Sequence, residues 1–366
     1  MQALEGHGSK MRKREQDKIK VLMIGPARSV HGGVSAVVNN YYEAGLSGQV
    51  HLKYIATMVD GSKGRKLLKA IYAYLIFLVT MPFYQILHVN MAADASCFRK
   101  KVFIDTAWLF GKKILIHEHG GDFEGFYFER CSQKQRDAIK KSLNHAGAFL
   151  VLSESWKNFF SQIVEEDKIH VLQNGISIPE KEKTDYSSHN VLFLGRLCKE
   201  KGIGELLDAV PAILKEIPDF KLILGGVWED NNEALRKKAE ALSGIVKCPG
   251  WVSAKERDAL MEACSIFVLP TWFEGQPVSL LEAMASGMCV AASAVGGIPQ
   301  IMGKEEEENG RFLVPKRADV LADVLTGLLK NEELRRRLGQ NARRRMIEQY
   351  NINRNVEMLL AFYRAL

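Results

Sequence analysis

The 366-residue sequence lacks several patterns that mark other classes of protein. Its six cysteines form no C-x-x-C pair, it has no D-x-D pair of acids, and no aromatic residues alternate with a basic run. No secretory leader is recognised at its start. We therefore expect reduced thiols in a cytoplasmic protein, no nucleic-acid partner and no dedicated metal site.

A dinucleotide-binding fingerprint is missing as well. The loop "GPARSVHGG" at 25–33 does not have the G-x-G-x-x-G spacing, and the later strand "LKYIAT" at 52–57 ends without an acid. These two absences argue against a nucleotide-linked oxidoreductase.

The composition is that of a soluble globular protein, with 47% hydrophobic and 25% charged residues. The length suffices for two domains of ordinary size. The net charge of +7 suits anionic partners such as nucleotide phosphates or an acidic membrane surface. The basic stretch at 10–20 is predicted to be a solvated tail.

Short apolar runs alternate with helical patterns through most of the chain, which predicts parallel sheets covered on both faces. The polar stretch 179–190 interrupts this alternation. We expect an α/β fold of two doubly wound, Rossmann-like domains facing each other across a cleft. The domain predictions are 1–178, a linker at 179–190, 191–345, and a C-terminal helix at 346–366 packing back toward the first domain.

The stretch "TWFEGQPVSLLEAMASG" at 271–287 is predicted to contain a loop followed by a helix. Pro277 suits the first helical position and Gly287 suits the end of the helix. Glu274 then lies in the loop after a strand, and Glu282 lies in the second turn of the helix. Ligands of open α/β sheets bind at the carboxyl ends of strands, where this loop is predicted to be.

Glu282 is the only charged residue among apolar and small helix positions, so we expect the helix to be buried nearly all round. A buried carboxylate without a partner costs several kcal/mol, and no nearby cation was identified in the sequence. Ligand hydroxyls would satisfy it, while backbone N–H groups of a neighbouring loop would do so equally well. The residues alone leave these two explanations open.

The motifs resemble those of glycosyltransferase family 4, which are retaining enzymes of the GT-B fold. The stretch 273–302 is similar to the family's E-x7-E region and its following GG-x-P-E turn, with Gln300 where an acid is common. "VLFLGRLCKEKGIGELLDA" at 191–209 resembles the GR-L-x-x-x-K-G element. "VLQNGI" at 171–176 resembles the end of the family's first domain.

This resemblance implies that Glu282 holds the ribose of a sugar nucleotide and Glu274 contacts the transferred sugar. Arg196 and Lys201 resemble the pair that neutralises the diphosphate, a role that suits cations placed after a strand end. The donor would be a UDP-, GDP- or ADP-sugar, used without a metal or other cofactor. The implied donor-binding residues are Gly33, Arg196, Lys201, Gly226, Trp251, Val252, Glu274, Gly275, Gln276, Pro277, Val278 and Glu282.

In the first domain, Gly32 and Gly33 permit close backbone approach to the donor diphosphate or the acceptor. His117 and His119 lie on one face of a predicted strand, and metal binding there would need a third ligand. The resemblance implies that His119 lies beside the reacting sugar and that Asp122 contacts the acceptor. The implied catalytic set is His119, Glu274, Arg196 and Lys201, and the implied acceptor set is Gly32, His119 and Asp122.

The expected reaction is transfer of a sugar to an acceptor hydroxyl with retention of anomeric configuration. A covalent route would need a carboxylate nucleophile, for which the sequence offers no convincing candidate. A sugar acceptor or a lipid-linked saccharide, in bacterial surface polysaccharide or glycolipid synthesis, is what the resemblance implies. Two alternatives stay open: a sugar-nucleotide epimerase of the same fold, and a non-catalytic partner in a polysaccharide assembly complex.

The apolar segment 67–87 approaches membrane-spanning length, but Pro82 interrupts it. We expect a buried helix that is partly exposed toward a bilayer surface, on a protein peripheral to the inner face of the cell membrane. Nearby basic residues would meet anionic lipid if they share one surface: Lys63, Arg65, Lys66, Arg99, Lys100 and Lys101.

Overall fold

A computed structural model describes residues 18–30, 32–120, 122–182, 184–303 and 308–366. These residues form two compact units. The first comprises the described residues up to Gly175 together with Ile352–Leu366, and the second comprises Ile176–Asn351. Most of the basic stretch 10–20 lies outside the described residues. How the two predicted domains face each other stays a prediction.

Each unit is built on one parallel sheet of six strands, which confirms the predicted α/β class. The strand order is β2-β1-β3-β4-β5-β6 in the first unit and β12-β11-β10-β7-β8-β9 in the second. The strands are β1 Lys20–Pro26, β2 His51–Met58, β3 Ile86–Met91, β4 Lys113–Glu118, β5 Ala148–Val151, β6 Ile169–Val171, β7 Asn190–Leu194, β8 Lys221–Gly225, β9 Val246–Gly250, β10 Ile266–Leu269, β11 Cys289–Ser293 and β12 Arg311–Leu313.

Helices cover these sheets and bury the central strands completely, as parallel sheets require. The main helices are α1 Gly33–Glu43, α2 Lys63–Thr80, α3 Ala95–Leu109, α4 Gln133–Leu143, α5 Glu154–Phe160, α6 Ile203–Glu216, α7 Glu233–Ala241, α8 Ala254–Ala263, α9 Val278–Ser286, α10 Ala318–Leu329, α11 Glu332–Gln349 and α12 Ile352–Ala365. Short helical turns lie at Leu46–Gln49, Met81–Phe83, Phe123–Gly125, Phe126–Arg130, Glu166–Lys168, Lys199–Lys201 and Ile298–Met302.

In each sheet, the side on which successive strands are added changes once. The position of this change determines where a ligand site is expected. In the second unit β7, β8 and β9 run outward in sequence, and β10 then pairs on the other side of β7. In the first unit β3 returns to the far side of β1 after β2. The loops after β7 and β10, and those after β1 and β3, therefore diverge at topological switch points, where α/β sheets bind ligands.

The elements predicted from the sequence are present with shifted boundaries: the strand at 52–57 is β2, the strand carrying His117 is β4, and the helix within 271–287 is α9. Two elements near the end of the second unit were missed, namely β12 and α10. The C-terminal helix predicted at 346–366 begins later, at Ile352, because Tyr350 and Asn351 separate α11 from α12. α12 belongs to the first unit, where the Tyr363 hydroxyl lies 2.6 Å from Nδ1 of His88.

Residues 179–190, predicted as a linker, are bound to the second unit by buried contacts. The Tyr186 hydroxyl donates to the Gly287 carbonyl at 2.5 Å. The guanidinium of Arg335, only 1% exposed, donates to the Tyr186 carbonyl and to the carbonyls of Leu328 and Leu329. This single buried cation therefore satisfies three carbonyls from two segments of chain.

Arg335→Met is expected to lower the free energy of unfolding of the second unit by about 2–4 kcal/mol. The substitution removes the Arg335 hydrogen bonds to the Tyr186 and Leu329 carbonyls, while the Leu328 carbonyl keeps the Asn331 N–H at 3.1 Å, and unsatisfied buried polar groups cost about 1–3 kcal/mol each before relaxation. Urea unfolding followed by circular dichroism measures the change. Arg337→Met, at an exposed position of the same helix, is the matched control and is expected to stay within about 0.5 kcal/mol. Equal effects of the two substitutions would contradict this account.

Candidate functional site

Two predicted site residues meet at the switch point of the second unit. Lys201 follows β7 and Glu274 follows β10, and the Lys201 ammonium forms an ion pair with the Glu274 carboxylate. The two side chains are only 15% and 14% exposed. Because β7 and β10 are neighbouring strands, their loops leave the sheet side by side. The sequence predicted both residues as site residues but not this pairing.

Backbone contacts fix the Lys201 loop against the Glu274 loop. The Trp272 N–H donates to the Glu200 carbonyl at 2.9 Å, and the Thr271 hydroxyl donates to the same carbonyl at 3.3 Å. Gly202 has φ of +72°, and a Cβ at this position would overlap the Pro270 carbonyl. The left-handed conformation and the close approach both require glycine here. The position of Lys201 therefore depends on Gly202, which lets the chain pass close to the Pro270 carbonyl.

A second pair of glycines supports the Glu274 loop from β11. The Gly297 N–H donates to the Gly275 carbonyl at 2.9 Å. Gly296 has φ of +54°, and a Cβ on it would overlap the Glu274 carbonyl. These two glycines are part of the site that the sequence reasoning did not assign. Their signal was present in the GG-x-P turn that carried the family resemblance.

The start of α9 presents backbone N–H groups next to Glu274. The helix begins at Val278, one residue later than expected, with Pro277 preceding it and no side-chain cap among the described residues. It ends before Gly287, whose φ of +89° confirms the predicted stop. Uncapped N–H groups and the positive end of the helix dipole favour an anion. The predicted residues Gly275 to Val278 therefore form a loop and first helical turn whose backbone N–H groups favour an anion.

Glu282 lies in the second turn of α9, as predicted, and the helix is buried on most sides. The expectation that no cation pairs with the Glu282 carboxylate is wrong. Arg257, which lies on α8, donates from Nη1 to Oε1 of Glu282 at 2.5 Å. The sequence interval of 25 residues hid this partner, because it is the packing of α8 against α9 that brings the two residues together. The carboxylate is thus oriented by the protein before any ligand arrives.

Arg196 lies in the same loop as Lys201, yet its guanidinium forms an ion pair with Glu229. Burial is the largest single influence and lowers the pKa of Arg196, but the hydrogen bond to Glu229 and the charges of Glu229, Cys198 and Glu274 together outweigh it and raise that pKa. The side chain is largely exposed. Arg196 and Glu274 therefore act on each other electrostatically, while Arg196 and Lys201 bind different carboxylates.

The predicted donor-binding residues Gly226, Trp251 and Val252 follow β8 and β9. The Gly226 N–H donates to the Gly250 carbonyl at 2.8 Å. A Cβ at Gly226, with φ of +153°, would overlap the Gly195 carbonyl, so glycine is required by the protein itself. Trp251 is exposed and Val252 is partly buried. Since β8 pairs with β7, these residues lie at the same edge of the sheet as Lys201.

One group of three metal-capable side chains occurs within the described ranges, at Cys198, Glu200 and Glu229. Burial raises the pKa of the Cys198 thiol to about 11, so the thiolate that a metal prefers is scarce at neutral pH. Glu229 is already bound by Arg196. The donor set fits a metal poorly.

In the first unit, a buried cluster of histidines surrounds the ends of β3 and β4. The rings of His117 and His119 lie 4.1 Å apart, which confirms that they share a face, and His88 stacks on His117 at 5.9 Å. Burial lowers the pKa of all three, that of His117 to about 3. The cluster is therefore neutral at physiological pH.

Hydrogen bonding fixes the tautomer of His119. The Asn90 amide nitrogen donates to the Ile24 carbonyl at 3.3 Å, which leaves Asn90 Oδ1 as the acceptor for Nε2 of His119 at 3.0 Å. The proton therefore resides on Nε2. Nδ1 is buried and has no partner among the described residues. In this tautomer Nδ1 of His119 carries a lone pair and can accept a hydrogen bond from a hydroxyl group.

The other predicted residues of the first unit are exposed. Gly32 and Gly33 begin α1, and a Cβ at either would meet no atom of the described chain within 4 Å. Asp122 is exposed and forms an ion pair with Arg130 at 2.8 Å. The protein alone therefore gives no steric reason for either glycine.

Glu118 is a buried acid that the sequence reasoning did not single out. Its two carboxylate oxygens accept from the Gly120 N–H at 3.1 and 3.0 Å. Burial raises the pKa of Glu118 to about 8, although the N–H groups of Gly120 and His119 act against this. The acid is thus mostly protonated at neutral pH. It anchors the loop that carries His119.

Comparison with known proteins agrees with this geometry. Residues 176–345 match the family described as Glycosyl transferases group 1. A curated relative, GDP-mannose:cellobiosyl-diphosphopolyprenol alpha-mannosyltransferase of Xanthomonas campestris, is 27% identical over 229 residues. That match covers 61% of this chain and 60% of the relative, so the chain spans about three fifths of the relative's length.

Solved structures confirm the GT-B fold class. Sucrose-phosphate synthase from Thermosynechococcus elongatus superposes with a TM-score of 0.77 at 20% identity, covering 95% of this chain and 99% of that one. HepE of Anabaena, in complex with UDP, gives a TM-score of 0.74 at 16% identity, covering 95% and 100%. At these identities the likeness concerns the fold alone.

Glu118→Gln is expected to raise the melting temperature more at pH 8.5 than at pH 5. The folded-state pKa is raised above the unfolded value of about 4.5, so the wild type loses stability as pH rises from about 4.5 toward 8. The glutamine amide does not ionise, so the variant does not lose this stability as the pH rises. For a shift from about 4.5 to about 8, we expect the gain to differ between the two pH values by at most about 4 kcal/mol, or about 8–15 °C in melting temperature.

Differential scanning fluorimetry across the pH range measures this difference. The matched control is Glu124→Gln, at an exposed acid nearby. Its effect on the melting temperature is expected to be the same at both pH values. A Glu118→Gln gain that does not depend on pH would show that Glu118 is ionised in the folded protein.

Proposed function

We propose that the protein is a retaining glycosyltransferase that moves a sugar from a nucleoside-diphosphate sugar to an acceptor hydroxyl. The observation that carries this proposal is the Lys201–Glu274 ion pair at the switch point of the second unit, beside the uncapped start of α9. This arrangement offers a cation and N–H groups for a diphosphate, and a carboxylate for sugar hydroxyls, within one pair of adjacent loops.

In this proposal the second unit binds the donor. Lys201, Arg196 and the first turn of α9 stabilise the negative charge that develops on the departing nucleoside diphosphate. Glu274 accepts hydrogen bonds from the transferred sugar. Glu282, held by Arg257, accepts from the ribose. The backbone near Gly226 and the exposed Trp251 contact the base.

The first unit is proposed to supply the acceptor side, with Gly32, Gly33 and Asp122 as further contacts. Nδ1 of His119 accepts a hydrogen bond from a sugar hydroxyl, and Asn90 keeps the ring in the required tautomer. The nearby acid Glu118 is mostly protonated because its pKa is about 8, and a protonated carboxyl is a poor nucleophile. This supports a front-face route in which the leaving phosphate takes the acceptor's proton, without a glycosyl-enzyme intermediate.

The proposed donor is a UDP-, GDP- or ADP-sugar used without a metal, because the cations and the helix start supply the positive charge that a metal would. The Xanthomonas relative is named for GDP-mannose and a diphosphopolyprenol-linked acceptor, and the HepE structure contains UDP. We propose a lipid-linked saccharide acceptor in surface polysaccharide or glycolipid synthesis. All six cysteines are free thiols, which supports a cytoplasmic location.

The first experiment is a thermal-shift screen of nucleotides and nucleotide sugars, followed by an assay of nucleoside diphosphate release with and without saccharide acceptors. A stabilising nucleotide sugar and acceptor-dependent release are expected. Conversion of the donor sugar without any acceptor would instead indicate an epimerase. Stabilisation without turnover for any acceptor would favour a binding partner.

Lys201→Met and Glu274→Gln separate the two proposed donor contacts. Lys201→Met is expected to weaken nucleoside diphosphate and nucleotide sugar alike, by about 10- to 100-fold, because a charge-assisted hydrogen bond contributes about 1.5–3 kcal/mol. Glu274→Gln is expected to preserve nucleoside diphosphate binding, remove the added affinity of the sugar, and lower turnover at least about 100-fold. Calorimetry and the release assay measure these effects.

The matched control is Lys238→Met, which breaks an exposed ion pair with Asp208 in the same unit. It is expected to change neither affinity nor turnover. If Lys201→Met also leaves diphosphate affinity unchanged, the site assignment fails.

Arg257 is expected to act as a positioning residue for Glu282. Arg257→Gln should weaken nucleoside diphosphate binding about 3- to 10-fold, because it removes the hydrogen bond that orients the carboxylate, and Arg257→Lys should restore part of it. Inorganic pyrophosphate, which has no ribose, should bind all three proteins equally. Arg236→Gln, which breaks an exposed ion pair on α7, is the control. Equal losses for pyrophosphate would contradict a ribose contact.

A further inference from the structure

Helix α2 packs against the sheet with one face and leaves the opposite face uncovered. Ala73 and Phe77 are buried against the sheet, and Met81 continues this face. The side chains of the opposite stripe are among the most exposed apolar groups of the described chain: Leu68 70%, Tyr72 58%, Leu75 57% and Val79 73%. Their spacing of 4, 3 and 4 residues places them on one side of the helix. The prediction of a buried helix is therefore wrong for most of its surface.

Helix α3 lies beside α2 and extends this surface. The Tyr74 hydroxyl lies 2.8 Å from the Thr106 hydroxyl, and the rings of Phe77 and Phe103 are 5.0 Å apart. Lys112, just after α3, donates to the carbonyls of Pro82 and Tyr84 and so joins the ends of the two helices. We call the following exposed set the apolar face: Leu68, Tyr72, Leu75, Val79, Phe83, Val102, Leu109 and Phe110.

The charge around the apolar face has one sign along α2. Lys63, Arg65, Lys66 and Lys69 occupy its first two turns, and residues 61–83 contain no acidic residue. Two members of the predicted basic set must be corrected. Lys100 is buried and cannot meet a surface, and Lys101 is paired with Asp105. Arg99 is partly buried, so the exposed basic contribution comes mainly from the start of α2.

We propose that the apolar face docks on an anionic lipid bilayer, with α2 lying in the plane of the interface. Apolar side chains along one side and basic residues at one end are what an interfacial helix requires. Lys63–Phe83 is also long and apolar enough to cross a membrane. However, its inner face forms part of the core of the first unit, through Phe77 and its contact with Phe103. Spanning would expose that core, whereas interfacial docking leaves it intact.

The charge pattern also selects lipid over a second copy of the chain. Two copies meeting through the apolar face would place the basic starts of α2 in a shared interface, with no acids in residues 61–83 to pair with them. An anionic surface neutralises the same residues. Docking through this face does not depend on the proposed transfer reaction, since binding is measured without donor or acceptor.

The experiment is flotation of the full chain with vesicles of phosphatidylcholine alone or with 30% phosphatidylglycerol. The wild type is expected to bind the anionic vesicles, more weakly at high salt. Leu68→Gln/Leu75→Gln/Val79→Gln should lower the partition coefficient at least about tenfold. Lys63→Gln/Arg65→Gln/Lys66→Gln should remove the preference for anionic over neutral vesicles. High salt with alkaline carbonate should release the protein.

The matched control is Val314→Gln/Ile347→Gln, which changes two exposed apolar residues of the second unit and is expected to bind as the wild type does. All substituted side chains are exposed, and unchanged melting temperatures establish that the variants are folded. Equal binding by the apolar-face variant and the control would overturn the proposal. So would resistance to carbonate, or a wild-type dimer that dissociates on the same substitutions and does not bind vesicles. The loss or retention of transferase activity bears on the proposed function alone.

Discussion

The ion pair between Lys201 and Glu274 is the constraint on which the second unit's site depends. Two charges that are mostly withdrawn from water are tolerated because each neutralises the other, and removing either partner leaves the other uncompensated. Gly202, Gly296 and Gly297 bring the two loops close enough for the pair to form. A diphosphate and a sugar hydroxyl offer each side chain a replacement partner. Donor binding therefore exchanges one set of charge contacts for another.

Sequence patterns were sufficient for the architecture because parallel strands and their covering helices leave strong local signals. Runs such as Ile86–Met91 and Cys289–Ser293 are mostly apolar and are buried at every position, and Gly287 ends α9 as expected. The elements that were missed have weaker signals. β12 is only three residues long, and it pairs with β11 alone. The break between α11 and α12 contains neither glycine nor proline, so only tertiary contacts reveal it.

The candidate site was predictable where chemistry is local and unpredictable where it depends on packing. Glu274 was singled out as an acid in a loop after a predicted strand and Glu282 as the one charge of an apolar helix, whereas Lys201 was assigned from the resemblance of its motif to the family's. Arg257 was missed because its contact with Glu282 arises between two helices. Glu118 and Lys100 were not recognised as buried because acids and lysines are rarely buried. Burial holds the pKa of Lys100 near 7, so it carries only part of its usual charge.

The return of α12 to the first unit affects the order in which the chain acquires its structure. Ile176 and Asn351 form a parallel bridge, and the Ile176 N–H donates to the Tyr350 carbonyl at 2.7 Å, so the outgoing and returning segments run side by side. During synthesis on a ribosome, residues up to Gly175 emerge well before Ile352–Ala365. Until α12 is made, His88 lacks the Tyr363 hydroxyl as a hydrogen-bond partner. The part of the first unit that α12 covers is exposed during that time. The second unit, Ile176–Asn351, does not include the C-terminal helix and is free to fold before that helix is made. The first unit is therefore synthesised first but completed last.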